Sequence, residues 1–280
     1  MSEAPDAVAA IVRGADFTAF AAAQFAPADA RPHLLALRAF DAELARVRSI
    51  VSDPTIGEIR LQWWRDALES PERADAVAHP VARALEAAIA FGRLPREPLL
   101  RLVDARTDDL YDDPIPTLHE FEGRLGATHS AVIRLGSLIL GHGRDPGGAE
   151  AAGFGGVAQG LTRLLAELPA DASRGRLMMP AETMATHGVL REDVLSGKDT
   201  LQLAAAAAEL RAFALGRLAE ARAAFEDVDP VAAPAFLPLA TLPGTLRTLD
   251  RRTPLTASGE PARWRVLFRL WKASRRSPPF

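Results

Sequence analysis

Apolar residues recur at helical spacing along nearly the whole chain. Leu34, Leu37, Phe40, Leu44, Val47 and Val51 step by three or four and form one stripe. Pro32 sits near the start of that stripe, where its missing N–H does no harm. Beyond an Asp53-Pro54 break, Ile56, Ile59, Trp63 and Leu68 predict a second helix. Further helices are predicted from Val77 to Phe91, Pro95 to Leu110, Leu118 to Leu140 and Glu150 to Leu168, and an Ala-rich one of high intrinsic propensity from Leu201 to Phe225. Short β-branched runs such as Val132-Ile133 fall inside helical patterns, and the loops are short and punctuated by Gly or Pro, as at 141–148. Pro230, Pro234, Pro238 and Pro243 recur every four or five residues and predict a kinked or broken helix. The pattern predicts an all-α fold in one domain spanning 1–280.

Composition narrows the function classes. The 280 residues contain no cysteine, which excludes disulfides, thiolate metal sites and thiol nucleophiles. A net charge of −3 argues against a nucleic-acid partner. The acidic start Met1-Ser2-Glu3-Ala4-Pro5-Asp6 has no signal or transit character, and no run of about 18 uncharged apolar residues occurs. The expectation is a cytoplasmic protein. The segment 259–276 is the exception to a bland surface: Trp264, Leu267, Phe268 and Trp271 follow a helical i, i+3, i+4, i+7 spacing among Arg263, Arg265, Arg269, Lys272, Arg275 and Arg276. Such a basic amphipathic helix suits an anionic membrane surface on the inner face of the cytoplasmic membrane. The same apolar face would equally serve to dock the helix on the body.

Candidate chemistry is sparse. Asp104, Asp108 and Asp112 share an i, i+4, i+8 face beside Asp109 and Asp113, a set of hard oxygens of the kind Mg²⁺ takes, or simply a solvated helix end. Glu167 and Asp171 are also i, i+4, with Arg163 one turn earlier and able to pair with Glu167; Pro169 between them would separate their faces if it broke the helix. His33, His79, His119, His129, His142 and His187 show no metal-ligand spacing, and His129 reads as a core or groove residue. Gly153-Phe154-Gly155-Gly156 opens no nucleotide-binding unit and reads as small residues that let helices approach.

Several segments, in order, resemble the squalene/phytoene synthase family: Arg31 to Phe40, Trp64-Arg65 with Leu68, His79 to Leu85, Asp109-Leu110, Ala158 to Thr162 and Arg174 to Pro180. That resemblance implies an isoprenoid synthase-type helical bundle around a central cavity. It also implies a Mg²⁺-dependent head-to-head prenyltransferase acting on farnesyl or geranylgeranyl diphosphate, in which two aspartate clusters hold metal against the leaving diphosphate. Here the chain departs from the pattern. Ala42 stands at the arginine preceding the first cluster, and Ala45, Arg46 and Ser49 stand at its three aspartates. In the second cluster Arg163 replaces an asparagine, Ala166 an arginine and Glu167 an aspartate, while Asp171 remains; Arg124 replaces an aromatic residue.

A non-enzymatic branch of the family, that of a mitochondrial respiratory complex I assembly factor, shows the same pattern. Phe40 to Ala45, Gly57 to Trp64, Ala158-Gln159-Gly160 and His187-Gly188-Val189 resemble that branch most. The resemblance then implies a catalytically degenerate assembly or scaffold factor with a protein partner in respiratory complex assembly. If activity survives, it implies Arg46, Arg163 and Gln159 at the substrate and Glu167, Asp171 and Asp109 at Mg²⁺. A third outcome is a carrier that binds an isoprenoid lipid without reacting it.

Overall fold

The computed structural model describes residues 3–51, 53–111, 113–256 and 261–280 and is built of helices. The chain begins with α1 (Glu3–Ala15) and α2 (Phe17–Ala23), neither of which is among the predicted elements; the Asp16 side chain caps α2 by accepting from Ala19 N at 2.8 Å. Helix α3 (Arg31–Ile50) follows the predicted stripe and buries Leu34, Leu37, Phe40, Leu44 and Val47. Helix α4 (Pro54–Glu69) starts where the Asp53-Pro54 pair predicts: Pro54 opens the first turn and Asp53 accepts from Thr55 N.

The predicted helix from Val77 to Phe91 is two helices, α5 (Ala74–Ala78) and α6 (Pro80–Gly92). Pro80 disfavours helical geometry at the residue before it, so His79 is extended and its Nδ1 caps α6 through Ala82 N. Helix α7 (Arg96–Asp108) is followed by α8 (Leu118–Leu125), opened by a capping box of Thr117 and Glu120, and by α9 (Ala131–Leu140). Between α8 and α9 the expected continuous helix widens into a π turn over Gly126–Ser130. Helix α10 (Ala149–Ser173) runs on through Pro169, five residues past the predicted end. After α11 (Ala181–His187) and α12 (Arg191–Leu195), the Ala-rich α13 (Leu201–Ala223) is capped by Thr200.

The proline-rich stretch is broken as expected, and the prolines set the breaks. Each of Pro230, Pro234, Pro238 and Pro243 lies in the first turn of a new short element, where no partner is lost: a 3₁₀ turn, α14 (Ala233–Phe236), a second 3₁₀ turn and α15 (Leu242–Asp250). The last helix, α16, spans Arg263–Ala273, shorter than the expected 259–276; residues 259 and 260 lie outside the described residues.

Two large cores hold these helices. In one, Phe40, Leu37 and Leu44 of α3 pack with Leu85 of α6, Leu99 and Leu102 of α7, Ile133 and Ile139 of α9, and Phe236. In the other, Leu161, Leu165 and Leu168 of α10 pack against Leu203, Ala206, Ala207, Leu210 and Ala214 of α13. The small side chains of α13 let α10 run alongside it, burying apolar surface at about 25 cal/mol per Å².

The site depends on one close approach. Gly156 of α10 lies against the π turn so tightly that a Cβ would collide with the backbone and hydroxyl of Ser130, and a Cβ at Gly160 would meet Leu125 and His129. Ser130 Oγ donates to Gly153 O at 2.8 Å across the same contact. Gly155 is crowded too, by Leu239, whereas Gly153 has open space. Ala ordinarily favours a helix over Gly by about 1 kcal/mol. Gly153→Ala is therefore expected to raise stability by about that amount and Gly156→Ala to lower it, a sign difference readable from urea unfolding of the two variants.

Candidate functional site

The helices line a partly open cavity of about 760 Å³, within the range of small-molecule sites. Its first wall is α3. With Leu37, Phe40, Leu44 and Val47 buried on one side, the 3.6-residue period turns Asp41, Ala42, Ala45, Arg46 and Ser49 toward the cavity. So Ala45, Arg46 and Ser49, the residues standing where the resemblance expects three metal-binding aspartates, do line the cavity. Ser49 Oγ is turned back on the helix, donating to Arg46 O at 2.7 Å.

Facing it is α10, which contributes Gly160, Arg163, Leu164, Glu167 and Asp171. Because the helix passes through Pro169 unbroken, Glu167 and Asp171 share one face. Arg163 pairs with Glu167 as the spacing suggests, Nε to Oε1 at 2.8 Å. Burial, and then the neighbouring Glu167, raise the Asp171 carboxyl above its ordinary value, against the pull of Arg48, Arg176 and Arg174.

The floor is a charge network that the sequence reading missed. Arg106 of α7 donates to Asp41 Oδ1 of α3 at 2.9 Å and to Asp109 Oδ2 at 3.2 Å, and Arg124 of α8 lies 2.8 Å from Asp109 Oδ1. Burial alone would raise the Asp41 carboxyl. Arg106, with Arg38 adding to it, outweighs burial and holds Asp41 below its ordinary value. His129, set into the cavity by the π turn, is driven down to about 3 by burial and by the cations Arg106, Arg163 and Arg38, with Asp41 opposing. It is a neutral imidazole at physiological pH, a groove residue as expected. The clue to the floor was a charge embedded in an apolar stripe: Asp41 follows Phe40, and Arg106 follows a run in which Leu99, Leu102, Val103 and Ala105 are buried.

The acidic run on α7 does not act as a unit. Asp104 turns outward to pair with Arg65, Asp108 is exposed, and Asp109 enters the cavity. Asp112 lies outside the described residues. Gln159, expected beside Arg46 and Arg163, is not among the cavity-lining residues; its Oε1 is buried with no partner.

Mg²⁺ takes hard oxygen ligands in a near-ideal octahedron, and the donor set does not fit it. Among the described residues no group of three or more His, Asp or Glu is gathered as a metal site. Asp41 and Asp109 are held by arginines, Glu167 is paired with Arg163, and the α3 wall presents Ala45, Arg46 and Ser49. Overall eight arginines and six carboxylates line the cavity, so the balance there is cationic.

A profile of the squalene/phytoene synthases matches residues 12–272. The chain belongs to the squalene/phytoene synthase family. The match runs from α1 into α16, beyond the segments that carry the resemblance. Within the family, the chain is 31% identical over 241 residues to NADH dehydrogenase (ubiquinone) complex I, assembly factor 6, of Rattus norvegicus, covering 86% of this chain and 72% of that protein, and equally identical to the Homo sapiens protein of that name. Two solved structures share the fold: squalene synthase HpnC from Alicyclobacillus acidocaldarius, with a TM-score of 0.74 at 21% identity over 89% of this chain and 93% of that one, and a dehydrosqualene synthase in complex with ligand, with a TM-score of 0.77 at 18% identity over 96% and 95%.

The floor network yields a stability prediction. Arg106 and Asp41 are only 12% and 15% exposed, and breaking a buried pair from one side costs about 3 to 5 kcal/mol. Arg106→Gln is expected to lose about that much at pH 7. Asp41 is held below its ordinary value of 3.8 in the native protein, so its contribution is complete above that pH and disappears as pH falls through its depressed native value. In the variant the uncompensated Asp41 takes up a proton instead, and the gap between the two proteins should narrow from pH 7 toward about pH 4. Urea unfolding across that range reads it; a gap independent of pH would show that the pair is not the cause.

Proposed function

We propose that this chain is a non-catalytic member of its family, an assembly or scaffold factor for a respiratory complex, working at a membrane surface. The observation that carries the reading is the α3 wall, where Ala45, Arg46 and Ser49 face the cavity in place of metal-binding carboxylates. Ionisation of an allylic diphosphate requires the leaving group's charge to be neutralised. Of the cavity carboxylates, Asp41, Asp109 and Glu167 are paired to arginines, and the α3 wall offers Ala45, Arg46 and Ser49 opposite Glu167 and Asp171, so in this reading no second cluster of carboxylates among the described residues completes a metal site. The names of the 31%-identical relatives supply the partner class, complex I. Among the described residues no helix is long and apolar enough to cross a membrane, so the membrane is reached from its surface in this reading.

A second reading rests on the cavity itself. It has not been filled by larger side chains, and at its floor the Nε donors of Arg106 and Arg124 are buried without a partner. A carrier that holds an isoprenoid diphosphate on arginines, with Arg46 and Arg163 also in reach of the cavity, would use both features without metal.

Deleting the gene in the organism that encodes it tests the first reading. The expected outcome is loss of assembled NADH dehydrogenase complex and of NADH-to-quinone activity in its membranes. Rescue is expected from the wild-type gene and equally from a Glu167→Ala, Asp171→Ala double variant. An intact complex after deletion, or a folded double variant that fails to rescue, overturns the reading.

A further inference from the structure

The tail helix α16 has two apolar faces, not one. Val266, Leu270 and Ala273 are buried against Ala21 and Ala22 of α2 and Leu237. Arg269 also turns toward the body, where its guanidinium fills the space beside Gly244 of α15. The predicted stripe of Trp264, Leu267, Phe268 and Trp271 lies on the opposite side of the helix and is 65%, 46%, 57% and 44% exposed. Docking on the body and presenting apolar surface to the outside therefore do not compete, because different residues do each.

The charge around the outward face has one sign. Residues 261–280 hold six cations and no Asp or Glu. Arg275 lies over the Trp271 ring at 3.7 Å from its centroid and Arg265 over Trp264 at 5.3 Å, while Phe268 and Trp271 stack. Lys272 and Arg276 stand on the same flank and are exposed.

We propose that this face of α16 binds an anionic lipid bilayer, with the helix lying in the plane of the interface. Trp264, Leu267, Phe268 and Trp271 enter the boundary between headgroups and acyl chains, where indole rings are favoured. Arg265, Lys272, Arg275 and Arg276 meet the lipid phosphates, each cation adding attraction that falls with salt. The choice of a bilayer over a protein groove follows from the row of exposed cations, Arg265, Lys272, Arg275 and Arg276, beside a two-tryptophan face in a segment, 261–280, without Asp or Glu. Because Val266, Leu270 and Ala273 already anchor the helix, it is presented preformed and pays no folding cost on binding. The proposal deepens the membrane-surface part of the functional reading and rests on it for biological meaning, but its test does not depend on a respiratory complex.

The test mixes the purified full chain with vesicles of phosphatidylcholine alone or of equal parts phosphatidylcholine and phosphatidylglycerol. Co-sedimentation and tryptophan emission are followed at low and high salt. The expected result is binding to the anionic vesicles with a blue shift, weakened by salt, and at least about tenfold weaker binding to the neutral ones. Trp264→Ala with Trp271→Ala, and separately Arg275→Gln with Arg276→Gln, should each weaken binding about tenfold or more at an unchanged unfolding midpoint, since neither pair lies in the buried face. No binding to anionic vesicles, equal binding to both compositions, or full binding by the tryptophan variant overturns the proposal. Because no respiratory complex is in the tube, vesicle binding stands even if gene deletion leaves that complex intact, and its absence counts against this face even if deletion abolishes the complex.

Discussion

The cavity of this protein is organised by the pairing of Asp41 with Arg106, and of Asp109 with Arg106 and Arg124. An uncompensated carboxylate or guanidinium in such a place costs several kcal/mol. With both signs present, α3, α7 and α8 are tied together at the cavity floor, and the carboxylate oxygens of Asp41 and Asp109 are committed to arginine. The electrostatics nearby follow from this arrangement. His129 stays neutral because it is buried among Arg106, Arg163 and Arg38, and Arg163 is matched to Glu167 one turn along the same helix, α10.

In the proposed reading, a division between two faces of each helix explains how one scaffold could keep its shape while its chemistry changes. The packing side of α3, with Leu37, Phe40 and Leu44, makes the core irrespective of what the other side carries. Ala45, Arg46 and Ser49, which stand where the resemblance expects metal-binding carboxylates, lie on the cavity side, so in the proposed reading their exchange costs no core packing. On α10 the same division holds: Leu161, Leu165 and Leu168 seat the helix on α13, and Gly156 and Gly160 admit the π turn, while Arg163, Glu167 and Asp171 face inward.

Much of the fold was legible in the sequence because its strongest signals are local. The α3 stripe, the Asp53-Pro54 start of α4 and the proline-broken segment after α13 all behave as residue spacing and proline chemistry dictate. Most of what escaped had non-local causes. Helix α1 is the exception, since the spacing of Val8, Ile11 and Val12 is a local amphipathic signal; the seven-residue α2 is too short to show a period and packs on α3 and α16. The π turn is stabilised by a glycine more than twenty residues away, at Gly156. The α3 face lining the cavity and the Arg163–Glu167 pair could be read from helical geometry, but Arg106 and Asp41, 65 residues apart, meet only in three dimensions. The tail was half legible: its composition identified an amphipathic basic helix, yet only the docking of Val266 and Leu270 revealed that the tryptophan face is left outward.

The central claim is that this cavity does not support metal-dependent ionisation of an allylic diphosphate. Diphosphate release from farnesyl diphosphate by the purified protein, measured with and without Mg²⁺, tests it most directly. The account predicts release no faster than in buffer under either condition. Mg²⁺-dependent release that disappears in the Glu167→Ala, Asp171→Ala variant would contradict it.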